Sequence, residues 1–115
     1  MGKRIPVIDD EEMNLAAMRI VLEDLGHSIS TCSDPIKGTE DALAEDFDLV
    51  LTDVRMPGRN GAEVVEAVLA KKPAARILVI SAYSSDPLVE RALKAGAAGF
   101  LQKPFEITRI EDFLK

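Results

Sequence analysis

Asp9, Asp10, Asp53, Ser81 and Lys103 stand where apolar runs of this 115-residue chain stop. Asp9 and Asp10 follow Ile5–Ile8. Asp53 follows Leu49–Leu51 and Thr52. Ser81 follows Ile77–Ile80, and Gln102, Lys103 and Pro104 follow Gly99–Leu101. Brought together, they would be three carboxylates, a hydroxyl and an ammonium. Two carboxylates about 4 Å apart repel by about 4 kcal/mol at an effective dielectric of about 20, and a third adds to that. Such a cluster responds by raising its pKa values or by taking up a cation. Oxygen ligands without thiolate or imidazole suit Mg²⁺, which keeps waters that leave room for a phosphate oxygen. Lys103 would add a movable point charge and Ser81 a hydroxyl donor. A cation, an ammonium and a hydroxyl around a carboxylate make a phosphoryl-transfer site. Asp53 is the candidate nucleophile, because carboxylates form aspartyl phosphates. The run "VRMPGRNG" at 54–61 breaks the chain after it. That break turns the backbone at Arg55 so that its carbonyl could reach a metal, with Gly58 and Gly61 giving the loop freedom.

Taken singly, these residues have plainer readings. Asp9 and Asp10 could cap a helix that Glu11 and Glu12 favour in its first turn. Lys103 could be solvated and Ser81 a satisfied polar group at a strand end. What decides is whether the fold brings them to one place. The short apolar runs, with Ile29–Cys32 as the second of five, alternate with longer stretches of helical spacing. The first stretch is marked by Met13, Ala16, Ala17, Ile20, Val21 and Leu25, and ends at Gly26. The second opens on Asp34-Pro35, a cap and a first-turn proline, and carries Ile36, Ala42 and Leu43. The third runs from about Asn60 through Val64, Val65, Val68 and Leu69 and stops before Pro73. The fourth opens on Asp86-Pro87 and continues through Leu88, Val89, Ala92 and Leu93 to Gly96. A last amphipathic helix holds Ile107, Ile110, Phe113 and Leu114.

The order βαβαβαβαβα predicts a parallel sheet with right-handed crossovers and helices on both sides, an α/β doubly wound domain. Runs that are apolar throughout, such as Ile77–Ile80, suit strands covered on both faces. Such sheets bind ligands outside the carboxyl ends of their strands. All five polar positions fall at those ends.

The totals narrow the class. Apolar residues are 47% of the chain and charged residues 30%, as in a globular domain. The net charge of −6 argues against contact with nucleic acid or an anionic membrane by this domain. No apolar run is long enough to span a bilayer, and "MGKRIPVIDDEE" does not read as a signal peptide. The single cysteine, Cys32, cannot pair within the chain, which fits a reducing, cytoplasmic compartment; it reads as a small buried apolar residue. The single histidine, His27, reads as a surface turn residue. Met18 and Met56 read as packing. Glu40, Asp41, Glu45, Asp46 and Asp48 read as a solvated surface.

The segments "IDDE" at 8–11, "LVLTDVRMPGRNG" at 49–61, "ISA" at 80–82 and "GAAGFLQKPF" at 96–105 span the chain. Together they resemble the receiver domain of two-component response regulators. The resemblance implies a flavodoxin-like three-layer sandwich with strand order 2-1-3-4-5. It implies Asp53 as phosphoacceptor, and Asp9, Asp10, Asp53 and the Arg55 carbonyl as the Mg²⁺ site. Ser81 and Lys103 would contact the phosphoryl group, with a cis Pro104 after the lysine. Ser81 and Phe100 would act as switch residues, and Ala82 is suitably small. Arg55 and Tyr83 lie where the family varies and would tune hydrolysis. Pro6 departs from the pattern, since proline inside a central strand removes a ladder donor or kinks the strand. Phe100 departs too, lacking the hydroxyl of the tyrosine often found there.

The resemblance also implies a mechanism. A sensor histidine kinase or phosphotransfer protein presents phosphohistidine, and the Asp53 phosphate reshapes the face of helix four, strand five and helix five for an output domain or target. The chain has no Gly-x-x-x-x-Gly-Lys loop to take phosphate from ATP, so the donor is external. It would be a phosphoacceptor switch rather than a conventional enzyme, with dimerisation possible through the last helices. The competing reading is a docking receiver that never takes phosphate. A haloacid-dehalogenase-type phosphatase wants an aspartate where Arg55 stands. A flavin module wants a Ser, Thr and Gly-rich loop where Asp10-Glu11-Glu12 stands. Residues 1–115 read as one receiver, either stand-alone or excised from a longer regulator; the excised piece is the favoured expectation because Lys115 follows an apolar helix face directly.

Overall fold

The computed structural model describes residues 2–114, so Lys115, on which the expectation of an excised piece turned, lies outside the described residues. The chain runs β1 (Arg4–Ile8), α1 (Glu12–Asp24), β2 (Ser28–Cys32), α2 (Pro35–Ala44) and β3 (Val50–Asp53). It continues through α3 (Gly61–Lys71), β4 (Ile77–Ser81), α4 (Pro87–Ala95) and β5 (Gly99–Gln102) to a 3₁₀ helix, Ile107–Phe113. The sheet is wholly parallel, in the order β2-β1-β3-β4-β5. The expected doubly wound fold is therefore the one observed.

Period-two alternation divides the strands between two cores. Leu49, Leu51, Leu78 and Ile80 face α1 and the 3₁₀ helix. Val50, Ile77 and Val79 face α2, α3 and α4. Each buried Leu, Ile or Val contributes about 1.5–3 kcal/mol relative to exposure. Three helices begin on side-chain caps: Asp34 for α2, Asn60 for α3 in a capping box with Glu63, and Asp86 for α4. Helix α4 ends on Gly96 at φ 116°, a left-handed position suited to glycine.

Several expectations need correction. The face of α1 marked by Met13, Ala16, Ala17 and Ile20 is the outer one; Met13 is 86% and Ile20 69% exposed. Leu15, Met18 and Leu22 are buried instead. Both stripes have helical spacing, but Leu, Met and Leu bury more apolar surface than a stripe half made of alanine. Ile36 and Leu93 are also exposed. The last element is a 3₁₀ helix, not an α-helix. Ile107, Ile110 and Phe113 are spaced by three, the interval at which 3₁₀ side chains align.

His27 is not a surface turn residue: its side chain is 7% exposed, Nδ1 accepts the Lys3 N–H at 3.0 Å and Nε2 meets Glu111 Oε1 at 2.5 Å. Cys32 is only half-buried, its Sγ donating to the Asp34 carbonyl at 3.3 Å. Met18 and Met56 do pack, and the acidic residues at 40, 41, 45, 46 and 48 are exposed.

Pro6 leaves the strand whole, pairing with Ser30 in register. The Arg4 carbonyl accepts the Asp48 N–H, whereas Asp9 N–H donates to Cys32 in β2. By alternation, Pro6 turns its nitrogen toward β3, at the end of the β1·β3 ladder, which starts only at Val7 and Leu51. The missing donor thus falls away from the carboxyl edge, and the acids after β1 keep their place.

Candidate functional site

Parallel registration brings the strand ends together. Asp53 pairs with Ile80, Ser81 pairs with Gln102, and the Lys103 N–H donates to the Ser81 carbonyl at 2.8 Å. Asp9, Asp10 and Asp53 each offer an oxygen within 4.8 Å of the others. Asp9 is 1% and Asp53 8% exposed, whereas Asp10 is open to solvent. Lys103 Nζ lies 3.3 Å from Asp53 Oδ2 and 3.7 Å from Asp9 Oδ2. The Asp53 Oδ1 accepts the Val54 N–H at 2.8 Å, so its two oxygens are divided between backbone and ammonium.

The electrostatics follow from burial. Desolvation pushes both Asp9 and Asp53 above the ordinary carboxylate value near 3.8. For Asp9 the Glu11 N–H, at 2.9 Å, opposes this, the Asp53 charge adds to the rise, and Lys103 lowers it. For Asp53 the Lys103 charge is the largest opposing influence. One ammonium among three carboxylates leaves net negative charge and an all-oxygen donor set, which suits a hard divalent cation.

The acids are not acting as caps for α1. Its first turn is entered at Glu11, which makes no side-chain cap bond, unlike the entries to α2, α3 and α4. Asp9 instead accepts from Glu11 N–H and from Asn14 Nδ2 at 3.5 Å, a support the sequence did not reveal.

A cleft of about 630 Å³ opens over Asp53, lined also by Asp10, Arg55, Ser81, Tyr83 and Asp86. Ser81 is buried, and its Oγ accepts the Tyr83 N–H at 3.1 Å and donates to the Tyr83 carbonyl at 3.0 Å. Tyr83 is 70% exposed, and Ala82 is exposed beside it. Phe100 does not line this cleft; it is half-buried against the α2–α4 core. The Lys103–Pro104 bond is cis. Of the two loop glycines, Gly58 has φ 90°. Gly61 serves a different need, since a Cβ there would stand 2.4 Å from the Asp53 carbonyl oxygen.

Asp86 was legible only as a cap. Its carboxylate also takes two bonds from Arg55, Nε–Oδ2 at 2.9 Å and Nη2–Oδ1 at 2.8 Å. That guanidinium pair holds Asp86 below the ordinary carboxylate range. No local pattern announces a pairing across 31 residues of chain.

Among the described residues, no helix is long and apolar enough to cross a membrane. The family model for the response regulator receiver domain matches residues 5–115. The chain is 32% identical over 119 residues to the chemotaxis protein CheY of Thermotoga maritima, covering 99% of this chain and 96% of that one. The CheY4 structure of Vibrio cholerae superposes with a TM-score of 0.88 at 26% identity, over 99% of this chain and 97% of that one. A response regulator structure from Burkholderia pseudomallei, described with a phosphorylated aspartic acid, calcium ion and citrate, gives a TM-score of 0.88 at 28% identity, covering 98% and 66%. Other curated relatives are much longer: the chain spans 27% of a cyclic di-GMP phosphodiesterase of Thermotoga maritima and 24% of the transcriptional regulatory protein ZraR of Klebsiella oxytoca. By family match, strand order and the grouping of acids at one sheet edge, this chain belongs to the response regulator receiver domains.

Proposed function

We propose that Asp53 accepts a phosphoryl group from the phosphohistidine of a sensor histidine kinase or phosphotransfer protein. The carrying observation is the Asp53 carboxylate held 3.3 Å from the Lys103 ammonium, beside the oxygens of Asp9 and Asp10. Asp53 Oδ2 attacks phosphorus, and the imidazole leaves with the electron pair of the P–N bond. Lys103 then stands next to the new phosphoryl oxygens, and Ser81 can leave Tyr83 to donate to one of them. The phosphorylated aspartic acid of the Burkholderia pseudomallei relative supports this chemistry.

Mg²⁺ fits the donor set: Asp9, Asp10, Asp53 and the Arg55 carbonyl would hold it. It would supply positive charge against the carboxylates and the incoming phosphoryl group. The phosphoryl group itself adds about −1.5 to −2 charge. Contacts made by Ser81 and Lys103 only with that charge shift the population of the β4–α4 loop, with Phe100 as the ring that responds, and so alter the α4, β5 and 3₁₀-helix face. The exposed Met13 and Ile20 offer apolar surface to the donor protein on the helix that follows Asp10. Residues 1–115 act as a single cytoplasmic receiver unit, and an output domain, a target or a second copy reads the changed face.

The test is Mg²⁺-dependent labelling by acetyl phosphate or a phosphorylated kinase. Asp53→Asn abolishes it, and chelation of the metal suppresses it in the wild type. Label retained by Asp53→Asn at the wild-type level ends this reading. A wild type that takes no label but still binds a partner favours the docking receiver instead.

A further inference from the structure

Four contacts run in series across the mouth of the cleft. Ser81 Oγ is bound to both the N–H and the carbonyl of Tyr83. The same Tyr83 carbonyl accepts the Asp86 N–H at 3.3 Å. Asp86 Oδ1 accepts the Leu88 N–H at 2.9 Å and so starts α4. Both Asp86 oxygens then receive the Arg55 guanidinium, which comes from the other wall, two residues beyond Asp53. Between Ser81 and Asp86, residues 82–85 are exposed. No residue of this loop is buried, so polar bonds set its conformation: those at its two ends and the Gln102 Nε2 donation to the Ala82 carbonyl at 3.4 Å. The Asp86 side chain is 4% exposed and Arg55 67%. The carboxylate is thus the fixed member and the guanidinium the one that can leave.

We infer that Asp86 is a positioning residue for phosphoryl acceptance: paired with Arg55, it holds residues 82–86 in the resting arrangement and keeps the Ser81 hydroxyl turned toward Tyr83. This rests on Asp53 being the phosphoacceptor. The released arrangement frees Ser81 for a phosphoryl oxygen and frees Arg55 from its carboxylate. A phosphoryl anion on Asp53 competes with Asp86 for the guanidinium, because planar N–H pairs bind phosphate as well as carboxylate. By linkage, whatever releases the loop also favours phosphorylation. An ion pair with one exposed partner sets the scale, about two- to fivefold in the loop equilibrium.

Asp86→Asn is the cleanest variant, since asparagine caps a helix as well as aspartate does but loses the charge pair. Arg55→Lys keeps a positive charge beside Asp53 and loses the two-pronged geometry. The chain has one tyrosine and no tryptophan, so Tyr83 emission reports this loop alone. The expected result is that Asp86→Asn, Arg55→Lys and Arg55→Ala each label about two- to fivefold faster with acetyl phosphate. The Arg55→Ala, Asp86→Asn double variant goes no further, and each variant lowers Tyr83 anisotropy and speeds exchange of its amide. If Asp86→Asn matches wild type in labelling and in Tyr83 exchange, the inference is overturned. It is equally overturned if only the Arg55 variants depart, for the guanidinium then acts on Asp53 directly. If the wild type takes no label, the acceptor reading falls, and Tyr83 exchange in Asp86→Asn still decides whether Asp86 holds the loop.

Discussion

The two loops that form the walls of the cleft are built on different principles. The β3–α3 loop is fixed by backbone and core. Val54 and Met56 are buried, Val54 N–H donates to Ile80, Gly61 N–H returns to the Val54 carbonyl at 2.8 Å, and Asn60 and Glu63 close a capping box. The β4–α4 loop has no buried residue between Ser81 and Asp86 and depends on side-chain hydrogen bonds at its ends. Asp53, the proposed acceptor, is carried into the first. Ser81 and its neighbours, which move under the proposed function, belong to the second. Rigidity and freedom are thus assigned by which loop receives apolar anchors.

The difference predicts unequal sensitivity, and Gly61→Ala is the severest test. The new methyl would meet the Asp53 carbonyl and the Val54 Cα, at 2.4 and 2.8 Å, and backbone cannot step aside as a side chain can. We expect a loss of about 3 kcal/mol in urea unfolding, at the upper end for overpacking, together with impaired labelling. A loss below about 1 kcal/mol would mean that the wall under Asp53 yields, and the contrast between the loops would fail.

Next in size is the charge on the fixed wall. Asp9 and Asp53 have raised pKa values through burial, so the folded state binds protons more tightly than the unfolded chain. The stability of the metal-free protein from these groups therefore falls as pH rises from about 3.8 through their raised values and stays lower above them. Asp86 and Glu66, lowered by Arg55 and Arg91, act oppositely and lose their contribution as pH drops below the ordinary carboxylate range. Asp53→Asn removes one raised group and should stabilise the metal-free protein at neutral pH by about 0.5–2 kcal/mol, the usual size of a single stabilising substitution. Mg²⁺ should stabilise the wild type above the raised values and do little below them. Thermal melts across pH with and without the metal check both; a destabilised Asp53→Asn would show that the Lys103 pair outweighs burial.

Much of this wall was legible beforehand, and the reasons are local. Aspartate, serine and lysine at strand ends, with two Asp-Pro helix starts, are short-range signals that a parallel sheet then gathers at one edge. The unread parts are set by tertiary choice. Two stripes on α1 share helical spacing, and only packing against Leu49, Leu51 and Leu78 selects Leu15, Met18 and Leu22. The 3₁₀ helix Ile107–Phe113 packs by a contact far in sequence, Phe113 lying over Gly99, whose missing side chain leaves room for the ring. His27 looked like a turn residue because its partners, Lys3 and Glu111, are 24 and 84 residues away. Arg55 and Asp86 likewise read as a variable position and a cap, since their pairing exists only once the two walls face each other.

On the β4–α4 wall, Ser81→Ala removes both side-chain bonds to Tyr83. Because the loop is exposed, the expected loss is only about 1 kcal/mol, at the centre of the range for single hydrogen bonds. Amide exchange of residues 83–86 should quicken while that of Val54 and Gly61 stays as in the wild type. Quickening in both loops would mean that they form one cooperative unit, and the division argued above would not stand.

The smallest change in stability belongs to Tyr83→Ala. The ring is 70% exposed, and the bonds that shape the loop use the Tyr83 backbone, not its phenol. Unfolding free energy should move by less than about 0.5 kcal/mol. Tyr83 nevertheless lines the cleft that Asp53 also lines, and most of it is open to solvent. Under the proposed function its removal gives water a freer approach to a phosphoryl group on Asp53, and the labelled protein should lose its label a few-fold faster at unchanged stability. Loss of label at the wild-type rate would confine Tyr83 to its backbone role.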